Sequence, residues 1–164
     1  MTSSTQIAPN SLPARGAPAP AFELPADDGQ IYSLRALAGR RVVLYFYPRD
    51  STPGCTTEAC DFRDRHADFA ARGVVVLGVS GDSLASHARF RAKHQLPFPL
   101  LADTDHQVAR AYGTYGAKRM AGRDYEGVIR STFIIDEAGR IAAVYSPVKV
   151  AGHAQAVLAA LSVA

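Results

Sequence analysis

The sequence predicts an α/β layered fold: a mixed central sheet flanked by helices, with an N-terminal hairpin. Three observations carry that prediction. Residues 42–47 and 74–80 are near-continuous runs of β-branched, aliphatic and aromatic side chains, the mark of strands buried on both faces. Helical patterns alternate with these runs, as parallel strands joined by helical crossovers require. Residues 128–136 and 140–145 flank Glu137-Ala138-Gly139, a late hairpin that makes the sheet mixed.

The elements follow in order. Residues 1–15, with their Ser, Pro and Ala, are expected to form a flexible tail, and residues 16–164 a single domain. Phe22-Glu23-Leu24 and Ile31-Tyr32-Ser33-Leu34 alternate in polarity about Asp27-Asp28-Gly29, which predicts the first hairpin. Residues 34–37 read as a short helical turn stopped at Gly39. The strand at 42–47 ends at Pro48, which cannot donate to a ladder. Ala59, Phe62, His66 and Phe69 recur three and four apart, so one helix is expected over 53–72, closed by Gly73. After the strand at 74–80, a helix over 84–94 has Asp82 or Ser83 as its cap and ends before Pro97. Residues 98–101 suggest a short strand weakened by prolines, and 103–112 a helix capped by Asp103 or Thr104. Residues 113–127 hold four glycines and little apolar periodicity, so a long loop is expected. A helix over 151–161 closes the chain.

Composition excludes several functions. At 164 residues the chain can bury a proper core as one domain. The net charge of +3 is spread along the chain. Its densest groups, Gly39-Arg40-Arg41 and Arg89, Arg91, Lys93 and His94, are those of solvated surface. Trp is absent and no stripe interleaves aromatic with basic residues, so no nucleic-acid partner is expected. No apolar run approaches the ~20 residues that span a bilayer, and no signal peptide is evident. The expected location is the cytoplasm, where thiols are kept reduced.

Both cysteines lie in Thr-Pro-Gly-Cys-Thr-Thr-Glu-Ala-Cys, residues 52–60. As small buried hydrophobes, a structural disulfide, metal ligands or a reactive pair, they would make different proteins. Two cysteines do not complete a structural zinc site, and His66 lacks the usual ligand spacing. Thr52 suits a helix N-cap and Pro53 the first helical position. Cys55 then falls in the first helical turn, beyond the carboxyl end of a buried strand, where α/β folds place their ligand sites. Unpaired backbone N–H groups and the positive end of the helix dipole favour a thiolate there. Gly54 leaves the backbone open to close approach. Residues five apart on an ideal helix have Cα atoms ~8.5–9 Å apart, whereas a disulfide needs less than ~7 Å. A bonded pair therefore requires this helix to unwind.

Pro48, Thr52 and Cys55 match P-x-x-x-T-x-x-C, and Tyr-Phe-Tyr-Pro-Arg-Asp-Ser-Thr-Pro-Gly-Cys-Thr-Thr-Glu-Ala-Cys resembles the peroxiredoxin Q, or bacterioferritin comigratory protein, subfamily of peroxiredoxins. The similarity runs from Gly16 through the C-terminal helix and includes residues 127–133. It implies a thioredoxin-like fold and a thiol peroxidase that reduces hydrogen peroxide and organic hydroperoxides. By this resemblance Cys55 is the peroxidatic cysteine and Cys60 the resolving one, joined in turnover by an intramolecular disulfide that thioredoxin reopens. Thr52 offers its hydroxyl to sulfur and peroxide, Pro48 shields the site, and Arg130 sets a guanidinium beside the sulfur. Glu58 helps orient Arg130 or a neighbouring group. No metal, haem or flavin is implied, and the subfamily suggests a monomer.

Without the resemblance, Pro48 is a strand terminator, Thr52 a cap, Arg130 a strand-edge cation and Glu58 a first-turn acid. His66, His87, His94, His106 and His153 show no partner pattern. Two other functions fit the same elements: a thiol–disulfide oxidoreductase, although C-x-x-C is absent, and a redox-regulated binding or holdase module.

Overall fold

The structure is a computed structural model that describes residues 11–120 and 122–161; most of the expected tail, residues 1–10, lies outside them. The first hairpin pairs β1 (Glu23–Pro25) with β2 (Ile31–Ser33). Gly29, at φ +82°, supplies the left-handed turn between them. The central sheet is built from β3 (Arg41–Phe46), β4 (Val74–Ser80), β5 (Leu100–Ala102), β8 (Ser131–Ile135) and β9 (Ile141–Tyr145). Their spatial order is β5-β4-β3-β8-β9. β3, β4 and β5 are parallel, and β8 and β9 run antiparallel to their neighbours, so the sheet is mixed as predicted.

The unbroken apolar runs are explained by two cores. Along β3, Val42, Leu44 and Phe46 face one cluster with Leu24, Tyr112 and Phe133. Val43 and Tyr45 face the other, with Phe62, Phe90 and Val157. The second cluster is covered by α1 (Pro53–Asp64), α2 (His66–Ala71), α3 (Leu84–His94) and α5 (His153–Leu161). The first is covered by the N-terminal hairpin and α4 (Gln107–Ala111).

Four sequence expectations change. The single helix over 53–72 is broken at Arg65 (φ −109°, ψ 5°) into α1 and α2, and Phe69 of α2 still reaches the core. The helix expected over 103–112 is only α4; the buried Asp103 carboxylate accepts the N–H groups of Val108 and Ala109, capping it from outside the helix. The strand expected from residue 128 begins at Ser131. The long loop over 113–127 is a hairpin, β6 (Tyr115–Met120) paired with β7 (Arg123–Val128). Residues 123–126 of β7 are all exposed, so no apolar alternation announces it. Ser83 caps α3, accepting from the Ser86 N–H, while Asp82 serves another purpose. Among the described residues no helix is long and apolar enough to cross a membrane.

Candidate active site

Sheet register brings the site together. Phe46, the last residue of β3, pairs with Ser131, the first of β8. Arg130 therefore stands beside the carboxyl end of β3, where the chain turns into α1. That turn runs through Ser51, in the left-handed region at φ +64°, and Thr52 in extended conformation. Pro53 then opens α1, and the Thr56 N–H bonds the Thr52 carbonyl. Proline has no N–H to leave unpaired, so it fits this position without loss.

Cys55 lies two residues further, only 2% exposed, and Arg130 Nη2 sits 3.3 Å from its Sγ. The other guanidinium nitrogen, Nη1, donates to Glu58 Oε1 at 2.7 Å. One planar cation thus bridges sulfur and carboxylate. Gly54 makes room for it: a Cβ there would stand 3.2 Å from Arg130 Nη2. Glu58 is not the first-turn acid that its position suggests. It lies in the second turn, points inward and is 1% exposed. Burial pushes its carboxyl up to about 7, against the opposing pull of Arg130, and its Oε2 has no hydrogen-bond partner. Burial opposes the charge of Arg130, but Glu58 and Cys55 outweigh it and keep the guanidinium firmly charged.

The remaining predicted residues surround this centre. Pro48 is half-buried at the end of β3. Thr52 occupies the N-cap position by backbone, yet its side chain makes no cap bond; the hydroxyl donates to the Arg49 carbonyl at 3.0 Å. Cys60 is on the next turns of α1, half-buried, and both thiols are free. Lys118 of β6 approaches from the hairpin: burial, and secondarily Arg130, lower its pKa, and it donates to the Val128 carbonyl at 2.7 Å.

The structure also adds residues to which the sequence assigned no role. Asp50, in the turn before α1, accepts from Tyr47 at 2.6 Å, from Ser86 at 2.9 Å and from His87 Nδ1 at 2.7 Å. Its backbone N–H donates to Asp82, which also accepts from Ser80. His87 Nε2 meets the Leu101 carbonyl at 2.9 Å. Burial alone would raise the Asp50 carboxyl, but the bonds from His87, Tyr47 and Ser86 hold it below the usual range. Asp50, Asp82 and His87 have the spacing of a metal site. Their donor atoms are already spent on one another and on these hydroxyl and N–H groups, so the cluster reads as an anchor for the turn. His153, against Thr132 Oγ1 at 2.8 Å, is pushed down to about 4 by burial and then by Arg130, and stays neutral. The side-chain hydrogen-bond partners of His87 and His153, Asp50 and Thr132, lie 37 and 21 residues away in the chain, which hides them from local pattern.

A thiol at a helix start with a fixed cation beside it has the electrostatic setting that favours a thiolate. Residues 15–144 match the AhpC/TSA family, and the chain belongs to that family of peroxiredoxins. It is 50% identical over 146 residues to a putative peroxiredoxin bcp of Coxiella burnetii, covering 89% of this chain and 97% of that one. It is 49% identical over 138 residues to peroxiredoxin Bcp of Bacillus subtilis, covering 84% and 88%. A structure of Xanthomonas campestris bacterioferritin comigratory protein, described for its alkyl peroxide reduction activity, superposes with a TM-score of 0.82 at 45% identity, over 86% of this chain and 90% of that one. The fold is thus the thioredoxin-like fold of these enzymes, and the chain is a thiol peroxidase: a peroxide oxidises it and a separate reductant restores it.

Proposed function

We propose that Cys55 is the peroxidatic cysteine and Cys60 the resolving one, within one domain over 16–164. The observation that carries this is Arg130 Nη2 at 3.3 Å from Cys55 Sγ, at the start of α1. The Cys55 thiolate attacks one peroxide oxygen, the O–O bond breaks, and the departing oxygen takes a proton to leave as water or alcohol. Arg130 and the unpaired N–H groups of the first turn stabilise the charge that develops there. Glu58 fixes the guanidinium. Pro48 limits water around the sulfur. Thr52 must exchange its bond to Arg49 before its hydroxyl can turn to a peroxide.

The sulfur is left as sulfenic acid. Cys60 attacks it, the S–O bond breaks, hydroxide leaves as water, and a Cys55–Cys60 disulfide remains. Both residues lie in α1, where a separation of five puts Cα atoms ~8.5–9 Å apart. The reduced protein is helical here, and the oxidised one has these turns unwound. A dithiol such as thioredoxin then reopens the bond by exchange. The substrates are hydrogen peroxide and organic hydroperoxides, the latter supported by the alkyl peroxide activity of the Xanthomonas relative. We read the protein as a cytoplasmic monomer.

Reduced protein treated with one equivalent of hydrogen peroxide and read by mass spectrometry tests this. Wild type loses two hydrogens per chain as an intramolecular bond, whereas Cys60→Ser stops at sulfenic or over-oxidised Cys55. Disulfides found only between chains, or undiminished peroxide consumption by Cys55→Ser, would overturn it.

A further inference from the structure

Beyond the residues that surround Cys55, the structure places a titratable ring against Cys60. His94 is the last residue of α3, and its Nδ1 is 4.0 Å from Cys60 Sγ. Two contacts hold the ring in place. Its edge packs on the buried Phe90 ring at 5.1 Å between centroids and an interplanar angle of 71°. Its carbonyl accepts from Arg63 Nη1 at 2.8 Å. Arg63 is on α1, one turn beyond Cys60, so the helix that carries the thiol also grips the histidine. The charged groups facing this spot are Arg63 from α1 and its partner Asp64, at 3.0 Å. Among the described residues no carboxylate bonds to the His94 ring.

We propose that His94 is the general base of the resolving step, taking the thiol proton of Cys60; this rests on Cys60 being the resolving cysteine. A neutral imidazole has one ring nitrogen able to accept, and a thiol needs to be a thiolate to attack. Transfer from Sγ to Nδ1 leaves a thiolate on α1 and an imidazolium on α3. The guanidinium of Arg63, bonded to the His94 carbonyl, attracts the thiolate. As α1 unwinds, the thiolate moves to the Cys55 sulfenic acid and forms the S–S bond. The hydroxide that leaves takes up a proton, and the one held on His94 returns to solvent, so charge and protons balance.

The size of the effect depends on pH. A base helps only while the attacking thiol still holds its proton, so its advantage is largest near neutral pH and shrinks as added alkali removes the proton directly. That dependence gives a test which a packing role would not meet. Sulfenic acid decay is followed by rapid quench with a sulfenic-acid trap and mass spectrometry, in wild type, His94→Asn and His94→Ala. Disulfide formation at pH 7.5 is expected to slow about five- to tenfold in both variants. Over-oxidised Cys55 accumulates in proportion. The deficit relative to wild type narrows as pH is raised, because hydroxide then supplies the base. Free imidazole restores the His94→Ala rate in proportion to its concentration. His94→Asn resolving at the wild-type rate would overturn the proposal, as would a deficit that persists unchanged at high pH. Absence of any Cys55–Cys60 disulfide in wild type would overturn the underlying reading as well.

Discussion

The two cysteines occupy one helix and live in different surroundings. Cys55 is sealed into the core and held by a guanidinium that is itself held by a carboxylate. Cys60 is half-buried, and its neighbour is a neutral-capable ring on another helix at a long 4.0 Å. The Cys55 thiol is set within an arrangement of charges, whereas the Cys60 thiol is itself loosely secured. In the proposed cycle the thiol that reacts in place has fixed electrostatics, and the one that travels has a contact that breaks at little cost, since a thiol is a weak donor.

The largest way to break this contrast is Arg130→Met. It removes the cation from Cys55 and nothing from Cys60. Peroxide consumption by stopped flow is expected to fall about 10²- to 10³-fold, the scale of losing one such donor. Alkylation of Cys60 should proceed at its former rate. Equal losses at both thiols would show that Arg130 acts only by holding the fold.

Glu58→Gln acts through protonation. A carboxyl raised from 4.5 to about 7 keeps its proton in the folded protein while the unfolded chain has lost it. This group therefore costs stability as pH rises through that window, and the cost is complete above it. The shift corresponds to about 3 kcal/mol. Denaturant unfolding should show wild type losing about that much between pH 4 and pH 8 relative to Glu58→Gln. Parallel profiles would place the Glu58 titration elsewhere.

The smallest effect tests the fit of the guanidinium. Gly54→Ala sets a methyl 3.2 Å from Arg130 Nη2, and the cation must yield by a few tenths of an ångström. Misplacement on that scale is expected to slow peroxide reduction about two- to fivefold. The same change favours the helix by up to about 1 kcal/mol. Thermal unfolding should therefore rise as the rate falls, and a rate that rises with it would contradict the clamp.

How much was legible in the sequence follows from where the partners lie. β3, β4 and β8 announce themselves because their residues are almost all buried and apolar residues run on without alternation, and the β8–β9 hairpin by the turn at Glu137-Ala138-Gly139. The β6–β7 hairpin does not, because its exposed strand carries Arg123, Asp124, Tyr125 and Glu126 where a core strand would alternate. The break at Arg65 has no Gly or Pro to mark it. A motif pointed to Cys55, Pro48 and Thr52, and the resemblance it carries to Arg130, as candidates with proposed roles but no positions. Arg130 reaches Cys55 across 75 residues by the register of β8 on β3, which no local pattern contains. Thr52 satisfied the pattern of a cap while its hydroxyl went to Arg49. His87 showed no partner pattern and Asp50 was given no role, and only the fold shows them to be paired.

That pair sets the limits of movement. The turn ahead of α1 is fastened by Asp50 to Tyr47, Ser86 and His87, and through its N–H to Asp82, none of which belongs to α1. Beyond Cys60, Phe62 is fully buried against Tyr45 and Phe69. A rearrangement that joins the two sulfurs is therefore confined between residue 50 and residue 62, hinged on the left-handed Ser51 at one end and stopped by an aromatic rivet at the other. In the proposed cycle only the turns between these two fixed ends melt and rebuild.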